Sequence, residues 1–399
     1  MFSKRALSMK PSPIRKFAKH SEQAKKMGKT VIPLNIGQPD IPTPKVYLDA
    51  VSKIDTDVIA YAPSDGIPVL KKSFSDYFKK NGLSFEEDDI LVTNGGSEAL
   101  MFLFMILCDE GDEILVFEPF YSNYVSISQQ AGAVLTAAET DPDNNYSLPS
   151  AAKIIEKAGS RTKCILVTNP SNPTGHVLRR SEMDAIVEAA LEKDLFIISD
   201  EVYREFTYDG IEYISFTEYP QIADRLIIVD SISKRFSGCG IRIGCIASKN
   251  EELIAHALKM CQARLAVPYV EQVGAAALFA ADDSIIFDAA DEYSKRRDVC
   301  IDVLSGMEEI NFKKPEGAFY FILRLPVEDA DDFTGWLLTD FDIDGETIMM
   351  CPADGCYTDP QKGKNEVRIS YCIDPDRLRR GMNILQKGIR EYNSQKKQD

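Results

Sequence analysis

Ser231-Ile-Ser-Lys234, followed eight residues later by Arg242 and then by Gly244, gathers an amine, two hydroxyls and a guanidinium in one short stretch. The stretch comes directly after an apolar run, Leu226-Ile-Ile-Val-Asp230. Desolvation at the end of such a run favours a free amine over an ammonium, and a free amine is the nucleophile that forms Schiff bases. Arg242 offers a planar fork suited to bidentate donation to a phosphate, and Ser231 and Ser233 add two hydroxyl donors. An isolated loop lysine is ordinarily a solvated charge. It is the company of the hydroxyls and the guanidinium that turns the reading toward covalent chemistry at Lys234.

Such groups need a frame, and the chain supplies the pattern of one. Lys163-Cys-Ile-Leu-Val-Thr168, Leu195-Phe-Ile-Ile-Ser199 and Leu226-Ile-Ile-Val-Asp230 are short, β-branched and nearly all apolar, as strands buried on both faces are. Longer amphipathic stretches alternate with them, which predicts an α/β domain around a parallel sheet. Each run is followed at once by polar residues: Asn169 to Gly175, Asp200 to Tyr203, and Ser231 to Arg235. Ligands of open α/β sheets sit beyond the carboxyl ends of the strands, so the three clusters are expected to converge on one site. From about Glu292 the texture changes, with strands predicted at Gly317–Leu323 and Glu366–Cys372 and a helix at Asp331–Thr339, which reads as a smaller α+β domain. The expected division is a large domain at 46–289 and a second unit made of 1–45 and 290–399, with Val31 to Pro44 leading into the large domain.

The 399 residues carry 46 basic and 62 acidic side chains, a net charge of −16, which disfavours a nucleic-acid surface. With 44% hydrophobic and 27% charged residues the chain is an ordinary globular one. Only His20, His176 and His256 occur, without close spacing, so neither a multi-histidine metal site nor histidine-driven catalysis is expected. Nine cysteines, odd in number and without a C-x-x-C pair, fit a reducing cytoplasm better than a disulfide framework. The apolar run Ala99 to Cys108 is too short to span a membrane and reads as a core helix. Lys4, Arg5, Lys10, Arg15, Lys16 and Lys19 precede the first acid, Glu22; a transit peptide is one reading. Because Pro11 and Pro13 interrupt any helix there, an extended surface arm is the other.

Ser231-x-Ser-Lys234, with Arg242-x-Gly244 behind it, closely resembles the lysine motif of the class I/II pyridoxal-phosphate-dependent aminotransferases, the fold type I enzymes. The resemblance extends from Asn35-Ile-Gly-Gln-Pro-Asp40 to Val367-Arg-Ile-Ser370 and is nearest to the bacterial aspartate aminotransferase branch. It implies pyridoxal 5′-phosphate as cofactor, carried on Lys234. In Asn94-Gly-Gly-Ser-Glu98, which opens a helical run, Gly96 and Ser97 would hold the cofactor phosphate together with Ser231, Ser233 and Arg242. A plain glycine turn with Ser97 as N-cap is the alternative there. Asp200 would pair with the pyridine nitrogen and Tyr203 with the ring oxygen, while Glu201 has no assigned part. Asn172, in Asn-Pro-Thr-Gly175, would touch the ring oxygen and the substrate, and Tyr121 would stack on the ring. Arg368 would take the substrate α-carboxylate, with Gly37 approaching it through its backbone. Tyr61, in Tyr61-Ala-Pro-Ser-Asp-Gly66, would reach the phosphate of a neighbouring subunit, which implies a homodimer with shared active sites; packing within its own chain is the alternative.

The implied reaction is a ping-pong transfer of an amino group from an L-amino acid, aspartate first, to a 2-oxo acid, 2-oxoglutarate first. In the aspartate branch a lysine directly after the Gly-Gly pair can bind the distal carboxylate, whereas this chain has Ser97 there. Arg15, Arg204, Arg235 and Arg264 are the candidate substitutes, Arg15 and Arg264 foremost; an aromatic or alanine-type donor is the other reading. A lyase on the same scaffold would release ammonia and pyruvate from a β-substituted substrate instead of requiring a 2-oxo acid. A cofactor-sensing regulator would need a basic DNA-binding region that this acidic chain lacks.

Overall fold

A computed structural model describes residues 2–9 and 12–396. Strand β1 (Thr30–Pro33) precedes a seven-stranded sheet built from β2 (Ile90–Thr93), β3 (Glu113–Glu118), β4 (Val134–Glu139), β5 (Thr162–Thr168), β6 (Phe196–Asp200), β7 (Leu226–Ser231) and β8 (Gly244–Ala247). Its order is β2-β8-β7-β6-β5-β3-β4, and only β8 runs antiparallel to its neighbours. The strands alternate between two buried layers, as a pleat with both faces covered must. Ile165, Val167, Ile197 and Ile228 face one core cluster, while Leu166, Ile198, Ile227 and Val229 face another. Each such side chain, fully buried, contributes roughly 1.5–3 kcal/mol. Helix Gly96–Leu107 covers the second face through Ala99, Leu100, Leu103 and Phe104.

A third core surrounds a smaller antiparallel sheet, β12 (Cys351–Pro352), β13 (Glu366–Ser370), β10 (Tyr320–Arg324) and β9 (Asn311–Phe312), backed by helices Ala330–Thr339 and Pro375–Lys396. The predicted strand at Gly317–Leu323 therefore starts three residues later, because Gly317 and Ala318 instead bond to Gly175 and Phe206. Strand β1 pairs in parallel with β11 (Glu346–Met349), so the N-terminal segment is stitched to the C-terminal part of the chain. The expected boundary at 289/290 lies inside the continuous helix Ser284–Leu304. The N-terminal arm is not extended: helices Lys4–Ser8 and Ala18–Lys26 flank a short turn at Pro13–Arg15, where proline occupies a first-turn position that needs no N–H. Lys10 and Pro11 lie outside the described residues. Among those residues no helix is long and apolar enough to cross a membrane.

Candidate active site

Parallel strands β5, β6 and β7 end side by side at Thr168, Asp200 and Ser231, so the polar segments after them open into one cleft of about 280 Å³. Its walls include Gly37, Gly96, Ser97, Tyr121, Asn172, Asp200, Tyr203, Ser231, Ser233, Lys234, Arg242 and Arg368, all expected at a site from the sequence. Tyr61 alone of the expected residues lies elsewhere, on the surface at 83% exposure.

Three parts of the cleft have distinct chemistry. At the first, Gly95 adopts φ 76° and opens helix Gly96–Leu107, whose first-turn N–H groups have no intrahelical acceptors. A Cβ on Gly95 would come within 2.2 Å of the Arg242 guanidinium, so only glycine allows this approach. The N-cap is Gly95, which leaves Ser97 inside the first turn rather than capping it. Arg242 donates to the carbonyls of Cys239 (3.0 Å) and Asn94 (3.2 Å), and the Ser231 and Ser233 hydroxyls are 2.7 Å apart. A helix N-terminus, a guanidinium and two hydroxyls thus line one part of the cleft, donors suited to an anion.

Asp200 forms the second part. Its buried carboxylate accepts from the Tyr124 hydroxyl at 2.8 Å, and Tyr124 also meets Thr168 Oγ1 at 2.5 Å. Burial pushes the Asp200 carboxyl up to about 6, against the opposing hydrogen bond from Tyr124. A buried anion of this kind fits a cationic ring nitrogen brought by a ligand.

The third part is a run of hydrogen bonds on the small-sheet side. Arg368 on β13 donates to the Asn35 carbonyl (2.7 Å) and Asn172 Oδ1 (3.1 Å); Asn172 Nδ2 donates to Tyr203 Oη (3.3 Å), which lies 3.2 Å from Tyr320 Oη. Among the described residues the Arg368 Nε is buried without a partner, and its Cζ lies over the Tyr320 ring, 4.6 Å from the centroid. Lys234 Nζ donates to the Gly37 carbonyl at 2.8 Å and approaches Cys239 Sγ at 3.7 Å. A Cβ on Gly37 would collide with Tyr320 Oη at 1.6 Å, which explains the glycine. Tyr121 lines the cleft and meets Tyr124 in a T-shaped contact, with centroids 5.4 Å apart.

Two of the candidate distal cations are misplaced for that role. Arg204 is buried against Glu201, and Arg235 is buried against Asp230 and Glu205, both behind the strand ends and out of the cleft. Arg264 is half-buried and donates to the carbonyls of Ser64 and Val92. Arg15 is exposed beside Ile14, which does line the cleft and is anchored by Asn35. Glu201, without a part in the sequence reading, is an interior acceptor for Ser199 and Ser215. Sequence reasoning missed Tyr124 and Tyr320; the first stands three residues after Tyr121 and the second inside a predicted strand, so both read as packing.

The family model for aminotransferase class I and II matches residues 29–385. An aspartate aminotransferase of Bacillus subtilis is 28% identical over 405 aligned positions, covering 98% of this chain and 99% of that protein. Among solved structures, a single mutant of the Thermus thermophilus aspartate aminotransferase superposes with a TM-score of 0.89 at 26% identity, covering 97% of this chain and 99% of that one. An alanine aminotransferase from Pyrococcus furiosus superposes with the same TM-score at 28% identity, covering 98% and 100%.

Proposed function

The chain belongs to the class I and II aminotransferases, enzymes that depend on pyridoxal 5′-phosphate, and from that premise we propose that it moves the amino group of L-aspartate to 2-oxoglutarate in two ping-pong half-reactions. The residues present fit the cofactor. Lys234, Arg242 and Arg368 face one cleft without a carboxylate partner among the described residues, and Asp200 is the one acid that lines it. In a chain of net charge −16, three unpaired cations around one buried acid are the observation that carries the reading.

Gly96, Ser97, Ser231, Ser233 and Arg242 would hold the phosphate, Asp200 the ring nitrogen, Tyr203 and Asn172 the ring oxygen, and Tyr121 the ring face. When bound, the cofactor draws off the electrons left at the substrate Cα as its proton departs, and it carries the nitrogen between half-reactions. Arg368 would clamp the α-carboxylate through its fork, with Asn172 and the Gly37 backbone beside it. Lys234, first the covalent anchor, would then use its freed amine to take the proton from the substrate Cα and deliver it within the cleft. Tyr320, bonded to Tyr203 and to the Gly37 carbonyl, fixes the wall against which this occurs.

The second carboxylate of aspartate needs a further cation, which we assign to Arg15 ahead of Arg264. An alanine-type donor needs none. It is the second reading, favoured by the absence of a fourth cation from the described cleft lining and by the likeness to the Pyrococcus enzyme. We further propose a cytoplasmic homodimer active in amino-acid metabolism, its domains divided at 46–289 against 1–45 with 290–399. Tyr61 is exposed, as are Val58 and Ile59 just before it, and from there it would reach the other subunit's phosphate site.

A single-turnover spectral screen tests the assignment. The cofactor-loaded protein is mixed with a panel of amino acids, and conversion of the cofactor to its aminated form is followed. Aspartate should convert fastest, and Arg15→Ala should slow aspartate by about tenfold while sparing alanine. Equal conversion of alanine and aspartate by the wild type would instead select the second reading, and no conversion with any amino acid would overturn both.

A further inference from the structure

Lys234 sits in a helix of four residues, Ile232–Arg235, too short to hold its own shape. We propose that Arg235 is the positioning residue that holds it. The inference rests on Lys234 being the proton-transfer group.

The Arg235 side chain is fully buried. Its Nη2 donates to both oxygens of Asp230, at 3.1 and 2.8 Å, and its Nε donates to Glu205 Oε1 at 2.6 Å. Asp230 immediately precedes Ser231 and also accepts the Ser231 N–H at 2.7 Å. The ion pair thus closes residues 230–235 into a loop, and the residues enclosed include Ser231, Ser233 and Lys234. Glu205 lies at the far end of the turn that begins with Asp200 and carries Tyr203, so one guanidinium ties the lysine segment to the segment facing the ring. The Tyr77 ring backs the guanidinium at 4.0 Å, and its hydroxyl donates to Glu205.

A buried ion pair is no better for stability than a well-packed apolar cluster, so its value has to be sought in geometry. Three directed donations from one rigid plane fix position and rotation together, which a lysine ammonium at the same site would not do. The fixed object is the backbone under Lys234, whose Nζ has, among the described residues, only the Gly37 carbonyl and Cys239 Sγ as polar neighbours, with the Phe319 ring centroid 5.9 Å away.

The test compares Arg235→Lys and Glu205→Gln with the wild type in the cofactor-loaded dimer or monomer as isolated. Three readouts are taken: the single-turnover rate, its isotope effect with Cα-deuterated amino acid, and cofactor affinity by spectral titration of the cofactor-free protein. We expect Arg235→Lys to lose about 10- to 100-fold in rate with a larger isotope effect, because misplacing the lysine slows proton transfer above all. Its affinity for pyridoxal 5′-phosphate should fall about tenfold, since Ser231 and Ser233 ride on the same segment. Glu205→Gln, which keeps the Asp230 clasp, should show a smaller loss with the same rise in isotope effect. If Arg235→Lys does not fold, Glu205→Gln decides alone. Wild-type rates and isotope effects in folded variants would overturn the positioning role while Lys234→Ala remained inactive; turnover by Lys234→Ala at the wild-type rate would overturn the underlying assignment instead.

Discussion

The cleft and the layer directly behind it use arginine in opposite ways. In the cleft, Arg242 and Arg368 donate, among the described residues, only to carbonyl and amide oxygens. Behind the strand ends, Arg204 is sealed against Glu201, and Arg235 against Asp230 and Glu205. The first pair retains most of its electrostatic capacity for an incoming anion, because neutral acceptors satisfy hydrogen bonds without cancelling charge. The second pair has spent that capacity inside the fold. Among residues of one type, the state of pairing separates a binding group from a structural one.

Four perturbations test the contrast. The largest effect belongs to the unpaired amine: Lys234→Ala should lose at least about a thousandfold in single-turnover rate with little change in unfolding midpoint. Wild-type conversion would remove Lys234 from the chemistry. Arg204→Met should do the reverse, leaving the buried Glu201 charge without its cation and costing roughly 3–5 kcal/mol in urea unfolding; a loss under about 1 kcal/mol would erase the distinction between the two classes. Arg368→Lys keeps the charge and loses the fork, so KM for the amino acid should rise about 10- to 100-fold at unchanged stability. A KM near wild type would place the α-carboxylate elsewhere.

The smallest effect concerns the acid that faces these cations. The Asp200 carboxyl, raised to about 6, is protonated below that pH and ionised above it in the folded cofactor-free protein. This contribution to stability is complete below about pH 4, the unfolded value, and is lost as pH rises through about 6. Pairing with a cationic ring nitrogen requires the carboxylate, so cofactor affinity should weaken as pH falls below about 6, by at most about tenfold per unit. Spectral titration of the cofactor-free protein between pH 5 and 8 measures this. Asp200→Asn should abolish the dependence, and a flat wild-type curve would contradict the pairing.

Much of this arrangement is legible from the chain. Strands β5 to β7 read directly as apolar runs because burial on both faces leaves no alternation to confuse, and the polar segments after them meet in one cleft. The pairing of β1 with β11 is not legible, since parallel pairing between distant short segments leaves no local signal. The directions of Lys234 and Arg235 are equally hidden. Adjacent residues on a helical turn point about 100° apart, and only tertiary packing decides which of them meets the cleft. Tyr124 and Tyr320 were obscured for a related reason: a buried tyrosine reads as an apolar ring until its hydroxyl partner is known.

The β1–β11 pairing also orders events in time. Strands β2 to β8 all precede residue 248, so their sheet can assemble while the chain is still being synthesised. Leu34 bonds to Met349 and Ser370, and Asn35 to Arg368. The wall at Ile36 and Gly37 therefore waits, although it precedes the sheet strands in the chain, until β11 and β13 have been made. In a nascent chain the cleft therefore stays open on this side until β13 has left the ribosome.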